Sequence, residues 1–172
     1  GTYNVFIGNG QQLVTGIQVT QLGVTPSSSD PSRLTVGLKT LSGVQELPES
    51  VVTGGALGGL LSFRSQSLDA AANALGKIAV SLALTFNAQH ALGQDLQGNI
   101  AGDAAFVADF FVAPSPKVMA NSQNPVGSPV LDVQYSAPDY NGNFYTHLTG
   151  SDYRLQSNAS GDLTLTRLSD NR

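Results

Sequence analysis

Short apolar runs separated by polar punctuation dominate the first forty residues. Val5-Phe6-Ile7 and Leu13-Val14 flank Asn9-Gly10. Asn and Gly tolerate the positive φ that both central positions of a type I′ turn require, so the pattern predicts a hairpin over 2–16 with Asn9 and Gly10 at its tip. Residues 17–24 keep a strand-like composition, the Pro26–Pro31 segment reads as a loop, and Leu34, Val36 and Leu38 alternate with polar or small neighbours. Further strands are therefore expected over 17–40.

After Gly54-Gly55 the period changes from two to that of a helix. Residues 56–65 suit a short helix. From Ser67 onward Leu68, Ala72, Leu75, Ala79, Leu82 and Phe86 recur at alternating spacings of four and three, the rhythm of helices packed side by side. Leu61 lies one heptad upstream, and Ile78 and Val80 widen the apolar surface. With Ser67 as N-cap, Asp69 in the first turn and Gly93 as the stop, helices are expected over about 55–66 and 67–92, joined by a kink. A seam of this length needs helical partners, and this chain offers only 55–66. The expectation is that the rest of the bundle lies elsewhere in a longer protein, which a start at Gly1 without methionine also suggests. Leu75→Asp or Leu82→Asp separates a covered seam, where either is strongly destabilising, from an exposed one.

Beyond the helix, residues 94–105 are rich in Gly, Asn and Asp and read as a loop. Pro114, Pro116, Pro125 and Pro129 punctuate a stretch without helical period, a credible domain boundary. Val130–Tyr135 reads as a strand, Asn141-Gly142 as the tip of a second hairpin, and Ser160-Gly161 as a third between Tyr153–Gln156 and Asp162–Leu168. The class is α+β: N-terminal β-hairpins packed with a long helix of a partial bundle over 1–112, then a mostly-β domain over 113–172, with its truncation at Arg172 kept as an open expectation.

Composition narrows the chemistry. Hydrophobic residues make up 41% of the chain and charged residues 12%, with a net charge of −4, which argues against a general nucleic-acid or anionic-membrane binder. Cysteine is absent, which removes disulfides, thiolate metal sites and a cysteine nucleophile. No run of 18 or more apolar residues and no signal-like start is visible. His90 and His147 fall in different expected domains without metal-ligand spacing, and no Gly-x-Ser-x-Gly elbow supports a hydrolase. Gly54–Gly59 lacks the Gly-Lys-Ser/Thr ending of a phosphate loop and reads as close packing or a hinge. Asp95, Asn99 and Asp103 invite a calcium reading, but no closing Glu follows, and a structural turn is favoured. Tyr135, Tyr140, Phe144, Tyr145 and Tyr153 lack accompanying basic residues and form no nucleic-acid platform. No enzyme, cofactor or metal site is expected.

The blocks Gly54–Asp69, Asn73–Ala79, Phe86–Gly98 and Asp109–Phe111, with the hairpin Asn4–Val14 before them, resemble the central part of the flagellar hook-associated protein 1 family, the hook–filament junction proteins. The likeness is strongest over 1–16 and 54–111, weak over 17–53 and modest over 129–168, where Ser151–Leu155 fits best. It implies a structural, non-enzymatic role, with a helical D1 domain completed by other parts of the full chain and a β-rich D2 domain inserted into it. Implied partners are the hook protein, other hook-associated proteins, further copies of itself and an export chaperone for the full-length chain, with no nucleic acid and no membrane. The implied location is the extracellular flagellum, reached by type III export without a cleavable signal peptide. The fragment, holding neither terminus, is expected not to polymerise by itself. Residues 112–123 depart from the family pattern. An extracellular adhesin-type module with an aromatic β face around Tyr140 and Tyr145 is the alternative.

Overall fold

A computed structural model describes residues 3–8, 10–135, 148–158 and 160–172. Their contacts form two compact units, one of Gly1–Ser67 with Lys117–Val133, the other of Leu68–Pro116 with Gln134–Arg172. One long helical stretch and several small antiparallel sheets make the fold α+β.

The first unit opens with β1 (Asn4–Ile7), β2 (Gln11–Thr15) and β3 (Gln18–Val19) in one antiparallel sheet. Ile7 pairs with Gln11, so the expected two-residue turn is instead a three-residue loop of 8–10. Gly8 and Gly10 both have positive φ (56° and 98°), and Asn9 lies outside the described residues. Gly8 is also a close-approach glycine: a Cβ there would stand 1.8 Å from the Val51 carbonyl oxygen.

A second sheet follows in the order β4 (Leu22–Pro26), β5 (Leu34–Thr40), β6 (Gly43–Glu46). Among the described residues the buried hydrophobic side chains are Leu38 on its central strand, Leu47 directly after β6, and Val52 beyond the 3₁₀ turn that follows. Thr35, on the opposite face of the same strand from Leu38, is buried as well. The Glu46 carboxylate ties the β4–β5 loop to this sheet, accepting from the Ser27 hydroxyl at 2.9 Å and the Ser28 N–H at 2.8 Å. Ser28 in turn accepts from the Ser122 N–H at 2.8 Å, which anchors the 117–133 segment.

A single 3₁₀ turn (Glu49–Val51) leads to α1 (Gly55–Phe63), whose Gly58 packs so closely on Thr53 that a Cβ would meet its carbonyl carbon at 2.7 Å. A π-helical segment, Arg64–Leu68, then continues into α2 (Asp69–His90). The helix is thus interrupted by a widened turn and not by a fresh start: Ser67 sits inside that turn, and no side-chain cap bonds the start of α2. Within the first unit Arg64 is held by Glu49, and its Nη1 donates to the Leu34 carbonyl at 3.0 Å. At the other end α2 stops at His90, before the expected 92. The Leu92 N–H bonds the Gln89 carbonyl at 3.2 Å and the Gly93 N–H bonds that of His90 at 3.0 Å, tightening the last turn without a left-handed glycine at 93.

In the second unit α2 is joined by the 91–116 segment and by the hairpin β7 (Tyr153–Ser157) and β8 (Leu163–Arg167). The register Leu155↔Leu165 places Tyr153, Leu155, Leu163 and Leu165 on one face and Arg154, Gln156, Thr164 and Thr166 on the other. Residues 130–135, expected as a strand, pair with no neighbouring strand among the described residues. The hairpin expected around Asn141-Gly142 lies outside the described residues.

Candidate interaction surface

The helical run Gly55–His90 carries the heptad seam, and the seam is open. Leu68, Leu75 and Leu82 expose 53%, 68% and 63% of their surface, and Ile78 beside them 64%. Apolar side chains at this spacing usually face a partner, which makes this bare stripe the candidate interaction surface. By length and composition the run could also cross a membrane, with a mean hydropathy of 1.2 over its most apolar 18 residues. Polar and charged side chains interrupt it, however. Asp69, Asn73 and Lys77 lie away from the stripe, on the side of α2 where a Cβ on Gly150 would stand 3.7 Å from the backbone of Asn73 and Ala74. A groove of about 230 Å³, open to solvent and lined by Asn73, Lys77, Tyr135 and Thr149, runs along that side.

The C-terminal end of the stripe is built differently. Asn87, 7% exposed, treats the backbone of Phe111 as a strand treats its neighbour: its Nδ2 donates to the Phe111 carbonyl at 2.7 Å, and its Oδ1 accepts from the Phe111 N–H at 2.9 Å. His90 Nδ1 lies 3.1 Å from the Ala108 carbonyl oxygen. Its ring stacks on Phe106 at 5.3 Å, and Phe86 meets Phe110 and Phe111 at 5.1 and 5.2 Å. Residues 93–111 therefore form a strap laid across the last turns of α2.

The strap owes its shape to the acidic and amide side chains that suggested calcium. Asp95 Oδ1 accepts from the N–H groups of Gln97 at 2.9 Å and Asn99 at 2.8 Å, and its Oδ2 accepts from Asn99 Nδ2 at 2.7 Å. Asp103 Oδ2 accepts from the Ile100 N–H at 2.8 Å. These oxygens organise the loop's own backbone, the turn reading. The Asn99 side-chain bond, helped by the backbone donors, holds the Asp95 carboxyl below its ordinary pKa against a smaller desolvation effect. Among the described residues no group of three or more His, Asp or Glu side chains converges on a metal position.

Of the residues singled out from sequence, His90 ends α2 under the strap, Gly58 serves close packing and Tyr153 lies in the β7–β8 hairpin. His147, Tyr140, Phe144 and Tyr145 lie outside the described residues, as does any aromatic face they would form. At the polar end of α2 the structure bonds Asn87 to Phe111 and sets His90 against the Ala108 carbonyl. The Asp109-Phe110-Phe111 cluster was the available signal, since three adjacent residues with two rings in an otherwise small, polar loop need something to pack on.

Comparison with known proteins places this geometry in a lineage. The profile described as "Flagellar hook-associated protein FlgK helical domain" matches residues 1–106. Flagellar hook-associated protein 1 of Salmonella typhimurium is 46% identical over 125 residues, 72% of this chain and 22% of its own length. The Escherichia coli protein of that name is 42% identical over 150 residues, 84% of this chain and 26% of its own. The solved structure of the flagellar hook junction protein FlgK from Burkholderia pseudomallei superposes with a TM-score of 0.80 at 42% identity, covering 99% of this chain and 29% of that one. The chain spans about a quarter of the length of these relatives.

Proposed function

We infer, from the premise that this chain belongs to the flagellar hook-associated protein 1 family, that it serves as a structural segment of the junction between flagellar hook and filament. The observation that carries the reading is the bare Leu68–Leu82 stripe. Its heptad spacing asks for a helix alongside, and the stretches of its relatives that this chain does not span are the natural source of one. In the longer protein the covered stripe completes a helical D1 domain over residues 1–112, and a β-rich D2 domain starts near 113. The family profile, ending at 106, supports that boundary.

Such a protein acts by geometry and not by catalysis. It joins the hook protein, other hook-associated proteins and further copies of itself through repeated lateral contacts, outside the cell, after export without a cleavable signal and with a chaperone for the full-length chain. Low charge and abundant amide and hydroxyl side chains suit many weak polar contacts. The test is complementation. A full-length chimera, with this chain in place of the matching stretch of the Salmonella typhimurium relative, is expressed in a strain lacking its junction protein. Attached filaments and restored swimming are expected; filaments shed into the medium overturn the reading.

A further inference from the structure

The stripe on α2 has a property that simple burial does not resolve. Leu68, Leu75 and Leu82 repeat every seven residues, and so do Ala72 and Ala79 between them. A partner helix displaced by one heptad, about 10 Å along the axis, would meet the same surface again. No polar residue interrupts these five positions, although a single polar side chain in a seam is the usual device for fixing register. The next position along the stripe is Phe86, 43% exposed against 53–68% for the three leucines, and His90 lies one turn beyond it; here the strap packs Phe110 and Phe111 against Phe86 and Phe106 against His90. Packed helices approach to about 8–10 Å between axes, and the rings of Phe110 and Phe111, tilted and edge-on to Phe86, and of Phe106, stacked on His90, stand in the way of such an approach.

We propose that the strap 93–111 is a register stop: it ends the docking stripe after Leu82, so that an amphipathic helix from outside this chain can seat on Leu68–Leu82 in one position only. The inference rests on the reading that such a helix covers the stripe. The chain's relatives extend well beyond it, since it spans only 22% to 26% of their length, so a covering segment has a source within one polypeptide. Asn87 gives the stop its stiffness, because its paired bonds to Phe111 fix the strap to the helix it limits.

The experiment uses the full-length chimera carrying Leu82→Cys, labelled with a short cysteine-directed photocrosslinker and mapped by mass spectrometry. In the otherwise unchanged chimera the crosslink is expected at a single site within one helical turn of the covering segment. In the Phe110→Ala and Asn87→Ala backgrounds it is expected to split into populations seven residues apart. Phe110, 63% exposed, is the variant least able to disturb folding, and circular dichroism checks both. One unchanged site in both variants overturns the stop while leaving the covered stripe intact. A crosslink only to a second copy, or to no helix at all, overturns the covering reading and the stop with it.

Discussion

Placing a carboxylate on the stripe separates this chain from the longer protein quantitatively. In the chain alone Leu75 keeps 68% of its surface in water, so Leu75→Asp exchanges one exposed side chain for another. A surface change of this kind shifts stability by no more than about 0.5 kcal/mol, or roughly 2 °C in melting temperature for a chain of this size. In the full-length chimera the same position is covered. Burying a whole leucine contributes about 1.5–3 kcal/mol, and the two thirds still exposed here account for about 1–2 of it. An unpaired carboxylate in that apolar seam adds a penalty of a few kcal/mol more. The total is about 3–5 kcal/mol, a loss on the order of 10 °C for the unit containing α2. Calorimetry on both proteins, with and without the substitution, reads the difference. A loss of several degrees in the chain alone would show that the stripe is already buried there. No loss in the chimera would show that nothing covers it. Either result refutes the reasoning.

Three further outcomes follow from particular contacts. Asn87→Ala strands the Phe111 N–H and carbonyl and is expected to destabilise the second unit by about 1–3 kcal/mol, with faster amide exchange at Phe111; unchanged exchange there would mean that the strap holds without it. Gly8→Ala forces a Cβ toward the Val51 carbonyl at a φ of 56°, and should lower the melting temperature of the first unit by several degrees, whereas Gly10→Ala, at a φ of 98° with nothing within 4 Å, carries only the backbone penalty. Because the folded Asp95 carboxyl titrates below its unfolded value, its contribution is complete above the ordinary aspartate pKa of about 3.9 and disappears as pH falls through the lower, folded value. Amide exchange in 95–103 should therefore rise on acidification below that range, and Asp95→Asn should weaken this acid response; an identical response in the variant would assign it to other carboxylates.

The helix and three of its flanking features were readable along the chain because each is a local pattern. Val5–Val14, Leu34–Leu38 and Tyr153–Leu168 announced antiparallel pairs through alternation and turn residues, and Leu68–Phe86 announced a helix through its heptads. Features that depend on distant partners were misread. Val130–Tyr135 has strand composition but finds no ladder among the described residues, and Ser67 looks like a cap because sequence alone does not show a π-helical turn carrying the chain from Phe63 to Asp69. The Asn9-Gly10 signal located the hairpin correctly but not its loop length, since Gly8 also takes positive φ where it passes beneath Val51. The interaction surface was half legible. Heptad spacing identified the stripe, whereas its closure at Phe86 and His90 depends on side chains as many as twenty-five residues apart, such as Phe86 and Phe111, and periodicity contains no record of such contacts.

Thiol accessibility addresses the central claim with the least intermediary. The chain has no cysteine, so Leu75→Cys introduces its sole thiol. The account predicts that maleimide modifies Cys at this position in the isolated chain about as fast as a free thiol, and at least tenfold more slowly in the full-length chimera, where a helix lies over it. Equal rates in the two proteins would contradict it.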